Sequence, residues 1–263
     1  MSAAAARRVR RIVVPYHHAE PLPKLADAFA ADDAVVVSKG PAGAMLARLY
    51  DQVAARVAAS DAPVVIASGD CTTALAIVAG LQRRALRQAQ GDNAPGVIWL
   101  DAHGDFHTPH TTRSGYFGGM ALAMLVGRAG ASLAQSIGLQ PIAEDACILA
   151  GARDVDSGEL RNFATSALRR VDDVASLADT ALPASPWYVH LDVDVIDPSE
   201  VPPLRFPAPG GPSADTVATA LRALAARGTI AALGLACTLA PTSFEQPDPL
   251  ATIAPLIGAA FSS

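Results

Sequence analysis

The chain has little of what would place it outside ordinary globular proteins. Charged residues make up 17% and aromatics 5% of its 263 positions. No block of basic residues interleaved with aromatics is present, so nucleic acid is not an expected partner. The short basic stretch 7–11 runs straight into a strand-like segment and reads as a solvated edge. No apolar run reaches bilayer-spanning length, so no membrane partner is expected. The opening MSAAAARRVRR has arginines with no apolar segment behind them, which argues against a secretory signal. The three cysteines, Cys71, Cys147 and Cys237, are odd in number and lack zinc-finger or thioredoxin-like spacing. That argues against a disulfide framework and for a reducing cytoplasmic location. VVPYHHAEP, at the end of the first strand-like run, has no glycine to turn around a pyrophosphate, so a dinucleotide-binding fold is set aside.

What is present is mostly apolar. Hydrophobic residues make up 51% of the chain, much of that alanine, and the formal net charge is a mild −5. Such a composition supports a large buried core. Strand-like runs lie near 12–15, 34–37, 64–67, 97–100, 147–150, 168–171, 187–191 and 230–235. Helix candidates lie at 41–59, 72–90, 120–127, 213–227 and 249–261, the fourth opening on a capping Ser213. Strand and helix alternating in this way predict an α/β fold, a parallel sheet with helices on both faces. No repeat or long linker divides the chain, so a single domain over 1–263 is expected. The segment 91–96 reads as a turn-rich link. The Pro- and Gly-rich segment 197–212 is too long for a tight turn, as functional loops often are.

Polar clusters follow four of the strand-like runs: Ser68-Gly-Asp70-Cys71-Thr72, Asp101-Ala-His103-Gly-Asp105-Phe-His107, Gly151-Ala-Arg153-Asp154-Val-Asp156 and His190-Leu-Asp192-Val-Asp194. Open α/β sheets bind ligands beyond the carboxyl ends of their strands. In extended chain, alternate residues share a face, which predicts that Asp101, His103 and Asp105 converge from one strand and Asp192 and Asp194 from another. Four carboxylates so close cannot all ionise without a cation. Oxygen-rich ligation with one imidazole suits manganese or a similar divalent ion, and two such ions could activate a water between them. Either motif alone reads as well as a set of loop caps; it is their pairing that favours metal. His17, His18 and His110 lack such context and are expected at the surface or in loops.

These residues resemble the arginase or ureohydrolase family over about 63–241, through DAHGDFH at 101–107 and HLDVDVIDP at 190–198. The resemblance implies a three-layer α/β/α domain around an eight-stranded parallel sheet, usually as a homo-oligomer. It implies two divalent ions, manganese first, with Asp101 and Asp192 bridging, Asp105 completing one metal and His103 with Asp194 the other. It also implies attack of a metal-bridging hydroxide on a guanidino or formimino carbon of a small-molecule substrate. GARDVDSGE at 151–159 resembles the segment that holds a substrate α-amino group, at the positions of Asp156 and Glu159. Ser114 and His107 fall where the family contacts the substrate carboxylate. Taken alone, Asp156 and Glu159 would be an ordinary helix start.

Three positions depart from the family. SGDCT at 68–72 puts Cys71 where a histidine ligand stands, and cysteine is more often a buried apolar residue than a ligand. With a Cys71 thiolate, the cluster would set five negative charges against four positive ones, weakening Lewis acidity and favouring a softer metal. Gly118 stands where a loop histidine shuttles protons, which leaves Asp105 to take the proton. Thr238 stands where a glutamate pairs with the guanidinium, a contact of the strong charge-assisted kind. Glu245 replaces it only if its loop folds back. Cysteine in the first motif together with glycine in the loop resembles the Nω-hydroxyarginine hydrolases. Arginine or a modified arginine is therefore the expected substrate. A formimino or other linear-amidine hydrolase, or a catalytically impaired metal-binding homologue, is the alternative.

Overall fold

Runs of β-branched and aliphatic residues bounded by polar turns suit strands covered on both faces, and the computed structural model shows this arrangement. It describes residues 8–88 and 94–261. In chain order its strands are β1 (Arg10–Val14), β2 (Tyr16–His17), β3 (Glu20–Pro21), β4 (Asp33–Ala34), β5 (Val64–Ser68), β6 (Gly96–Leu100), β7 (Cys147–Ala150), β8 (Arg169–Val171), β9 (Trp187–Asp192) and β10 (Ile230–Ala236). Its α-helices are α1 (Pro23–Ala28), α2 (Ala42–Ala58), α3 (Thr73–Arg87), α4 (Ala121–Leu125), α5 (Ala131–Ser136), α6 (Ser157–Phe163), α7 (Ala214–Arg227) and α8 (Ala254–Phe261). Eight strands form one sheet in the order β4-β1-β5-β10-β9-β6-β7-β8, every neighbouring pair parallel. The fold is the single-domain α/β fold expected from the alternation of elements.

Helices cover both faces. One apolar cluster joins Leu49, Tyr50 and Val53 of α2 and Leu75 and Ile77 of α3 to Ile66, Trp99 and Tyr188 of the sheet. The other joins Leu221 and Leu224 of α7 and Leu256 of α8 to Val65, Ile98 and Leu191. Adjacent residues of one strand thus feed opposite cores, as the pleat requires.

The register aligns the carboxyl ends of the central strands. Ala236 pairs with both Ser68 and Asp192, and Leu100 pairs with Leu191. Chain leaving β5, β6, β9 and β10 therefore emerges at one edge.

Several elements differ from expectation. The run at 34–37 contributes only β4, at the sheet edge, and Val36 beyond it is 62% exposed. Helix 120–127 is shorter, a 3-10 turn at Gly118–Met120 followed by α4, and the chain reverses at Gly127, whose φ of +82° favours glycine. Helix 249–261 is confined to α8, with turns before it. Of the link at 91–96, residues 91–93 lie outside the described residues, and Gly96 already belongs to β6.

His17 corrects an expectation. It lies in the antiparallel pair β2–β3, folded over the carboxyl edge of the sheet, while His18 lies half-buried in the turn between them, a loop position as expected. His17 is buried, its Nδ1 2.8 Å from the Gly69 carbonyl oxygen, and its ring stacks near Tyr116 at 6.0 Å. That aromatic neighbour arrives from a distant loop, which no local pattern announces. His110 is exposed, as expected. No described helix is long and apolar enough to cross a membrane.

Candidate metal centre

The acidic residues converge, but not by the alternation expected of extended chain. The strand ends at Leu100, and His103 is held by an isolated bridge to Asp154. Asp105 has a left-handed backbone with φ of 47°, uncommon outside glycine but accessible to aspartate. Its carbonyl oxygen accepts the Leu122 and Ala123 amides at the start of α4. Asp194 lies likewise in a 3-10 turn, Val193–Val195, capped by the Asp192 side chain. Tertiary contacts, not the pleat, place Asp105 and Asp194 beside Asp101 and Asp192.

Two clusters of donor atoms result, each with its atoms within 4.8 Å of one another: Cys71, Asp101, His190 and Asp192, and Asp101, His103 and Asp194. Asp101 belongs to both. Its Oδ2 accepts the Trp99 indole N–H at 3.0 Å and its Oδ1 the His103 amide at 2.7 Å. Asp192 Oδ2 accepts the Cys71 thiol at 3.0 Å, so the sulfur points at the carboxylates. Asp192 Oδ1 accepts the Thr238 hydroxyl at 2.6 Å and the Asp194 amide at 2.9 Å. His103 Nδ1 lies 3.0 Å from Asp194 Oδ2. Asp105 belongs to neither cluster, yet it lines the same cavity and its buried Oδ2 has no hydrogen-bond partner.

None of the four carboxylates is more than 5% exposed. Burial, then the neighbouring carboxylates, push Asp105 and Asp192 well above the ordinary range. Burial and Asp101 push Asp194 up to about 6. Burial would raise Asp101 as well, but the hydrogen bonds and charge of His103, with the charge of His190, together lower it. Burial would depress His103, but Asp101 and Asp194 reverse this and push it up to about 12. Burial lifts the Cys71 thiol, reinforced by Asp105, Asp192 and Asp101, and drives His190 down to about 4. Without a cation such a cluster keeps protons that water would remove. Divalent cations relieve that repulsion, so the donor set and the unpartnered Asp105 Oδ2 fit a metal centre.

The cluster floors a cavity of about 330 Å³ whose walls include His107, Ser114, Tyr116, Asp156, Glu159, Phe206 and Thr238. Asp156 and Glu159 form a full capping box at α6, so the ordinary helix start is present too. Both Glu159 oxygens are engaged, Oε1 by the Phe106 amide at 3.0 Å and Oε2 by the Asp156 amide at 3.3 Å. Asp156 Oδ1 accepts the Gly158 and Glu159 amides, while Oδ2 faces His107 Nε2 at 3.4 Å. Ser114 is exposed at the rim, its Oγ accepting the Tyr116 amide at 3.1 Å. Glu245 is exposed and does not line the cavity.

Gly118 has a specific neighbour. A Cβ there would lie 2.5 Å from Tyr116 Cε1 and 2.7 Å from its hydroxyl, so the tyrosine ring fills the space a side chain would take. Arg153 ties the long loop 197–212 to the acidic turn, donating to the Asp194 and Val195 carbonyls and to Ala208 and Pro209. Sequence reasoning missed Tyr116, Phe206 and the role of Trp99. It also passed over His190, although alternation along β9 puts that residue on the face of Asp192.

Residues 3–244 match the arginase family, and the chain belongs to that family. Among curated relatives, it is 30% identical over 171 residues to an N(omega)-hydroxy-L-arginine amidinohydrolase of Streptomyces lavendulae, a match spanning 64% of this chain and 60% of that protein. It is 31% identical over 161 residues to an arginase of Bacillus subtilis, spanning 57% of this chain and 52% of that one. The chain thus matches little more than half the length of these relatives. Among solved structures, an arginase from Bacillus cereus superposes with a TM-score of 0.79 at 21% identity, covering 97% of this chain and 98% of the other. At that identity, the structural match speaks for the fold.

Proposed function

We propose that this chain is a binuclear-metal amidinohydrolase that cleaves the C–N bond of a guanidino group carried by an amino acid. One observation carries the reading: a buried four-carboxylate cluster floors a cavity whose rim presents an anionic side chain, Asp156, with Oδ2 facing His107 and engaged by no backbone amide. Asp101, Asp192, Asp194, His103, Asp105 and Cys71 would hold two divalent ions, manganese or a softer metal, which when bound supply Lewis acidity and an activated water. Asp105 lines the cavity and its Oδ2 has no hydrogen-bond partner; with one carboxylate oxygen on a metal, its other oxygen would take the proton from the activated water and return it to the leaving nitrogen. Asp156 receives the substrate ammonium, and Glu159, both oxygens committed, holds Asp156 and the 101–107 loop in place. His107 and Ser114 face the substrate carboxylate.

Cys71, Gly118 and the likeness to the N(omega)-hydroxy-L-arginine amidinohydrolase favour a modified arginine over arginine itself. Protein loaded with manganese or cobalt and incubated with arginine, Nω-hydroxyarginine, agmatine and formiminoglutamate tests this. Urea or hydroxyurea is expected from the amino-acid guanidines, and metal-bound protein that turns over none of the four sinks the reading. A second reading, hydrolysis of a formimino or other linear amidine, rests on Thr238, whose hydroxyl is spent on Asp192 and offers a guanidinium no anion. Formamide and ammonia in place of urea would identify it. The proposed cytoplasmic location is supported by three free cysteines, all buried. The expected homo-oligomer is checked by light scattering.

A further inference from the structure

His190 is a buried imidazole for which the arrangement above has no task. Tyr188, His190 and Asp192 alternate along β9 and share one face. The His190 ring stacks on Trp99 with centroids 3.6 Å apart, and the same indole donates to Asp101 Oδ2 at 3.0 Å. One side chain thus positions both groups. His190 Nδ1 lies 2.9 Å from the Tyr188 hydroxyl. Gly234 is the register partner of His190 on β10, and a Cβ there would collide with that hydroxyl. The tyrosine therefore reaches His190 only because its neighbour has no side chain.

The other nitrogen, Nε2, has no hydrogen-bond partner although the residue is 2% exposed. A packed histidine ordinarily pairs both nitrogens, since an unpaired buried polar atom is costly. A metal-binding histidine has a different signature: one nitrogen held by an outer partner that sets the tautomer, the other left for the ion. His190 matches that signature in the tautomer whose Nδ1–H donates to the Tyr188 oxygen, which leaves the Nε2 lone pair open to an ion. A ring nitrogen of His190 also lies within 4.8 Å of donor atoms of Cys71, Asp101 and Asp192.

We propose that His190 is a metal ligand, supplying the imidazole of the Cys71–Asp101–Asp192 cluster. This rests on the metal-centre reading and deepens it. One nitrogen, one sulfur and two carboxylates form a mixed donor set that selects a zinc- or cobalt-type ion over magnesium or calcium at this position. A neutral imidazole adds a donor without adding to the negative charge already gathered there.

Cobalt(II) titration of metal-free protein tests the proposal, read by bound equivalents and by the near-ultraviolet sulfur-to-cobalt band. The unaltered protein is expected to bind two equivalents. His190→Ala and the less disruptive His190→Gln are expected to lose one equivalent, or weaken it more than about a hundredfold, together with any sulfur band. His103→Ala should lose the other equivalent and keep the band. Tyr188→Phe should keep both equivalents and weaken the first by about 10–100-fold. If both His190 variants bind two equivalents with unchanged affinity, His190 is not a ligand and the metal-centre reading survives. If the unaltered protein binds no divalent ion, the metal-centre reading falls and this inference with it.

Discussion

The floor of the cavity and its rim are built on different principles. The floor groups Asp101, Asp192, Asp194 and Cys71 are buried at the ends of central strands, each carboxylate held by two or more hydrogen bonds. The rim groups Ser114, Asp156, Tyr116 and Phe206 stand on loops and a helix start, half-buried or exposed. Strand ends carry Asp101 and Asp192, and the tight turns that follow strands bring in Asp194 and Cys71. Loops shape the rim, where the Tyr116 ring fills the space beside Gly118. The contrast separates what the site does from what it acts on. In the proposed function, the floor would hold the metals and the rim would select the substrate.

The comparison breaks most severely at Asp192. Asp192→Asn keeps the shape but removes the charge that Cys71, Thr238 and the Asp194 amide converge on. Bound metal should fall below two equivalents and turnover by on the order of a thousandfold, by metal analysis and initial rates. Asp156→Ala should instead spare metal content and raise KM for amino-acid substrates by about 10–100-fold, the worth of one charge-assisted contact. It also removes the α6 cap, at about 1 kcal/mol of stability. An Asp156→Ala enzyme that loses its metal would erase the division between floor and rim.

A pH series sharpens the division. Asp194 is pushed up to about 6 in the folded chain, against about 3.9 when unfolded. A raised carboxyl favours the folded state while protonated, so its contribution is complete below about pH 4 and lost as pH passes about 6. For this group alone the loss is about 2–3 kcal/mol, partly offset by Asp101, which is shifted the other way. Divalent metal needs the ionised form, so the Tm gain on adding metal should grow by several degrees between about pH 4 and 6. A gain that stays flat across that window would falsify the electrostatic picture of the floor.

Smaller effects probe the seam. Gly118→Ala forces the Tyr116 ring aside and should cost about 1–3 kcal/mol, read by thermal unfolding, with a change in KM and little in metal content. Thr238→Val removes one hydrogen bond to Asp192 and should cost about 1 kcal/mol. If Thr238→Val abolishes turnover, the residue contacts substrate and its wall belongs to the rim.

The sheet was legible because burial on both faces writes itself into the chain as runs such as VVIAS and GVIWL. The acidic clusters were legible because they follow such runs directly. Their convergence does not come from strand alternation: Asp105 and Asp194 leave extended conformation, and Asp105 turns left-handed. β4 shrank because an edge strand has one neighbour to hold it. The burial of His17 was not legible because Tyr116, which covers it, comes from a loop about 100 positions away.

By itself, then, the sequence determined the layered α/β fold and the gathering of acid at one sheet edge. Both follow from local periodicity and from where strands end. Only the tertiary structure decided that the Cys71 sulfur faces Asp192, that Tyr116 fills the space beside Gly118, that Thr238 is spent on Asp192 and that the His190 Nε2 has no partner. Each of these depends on contacts between segments far apart in the chain. Spacing along one strand encodes which face a residue takes, but not what meets it there.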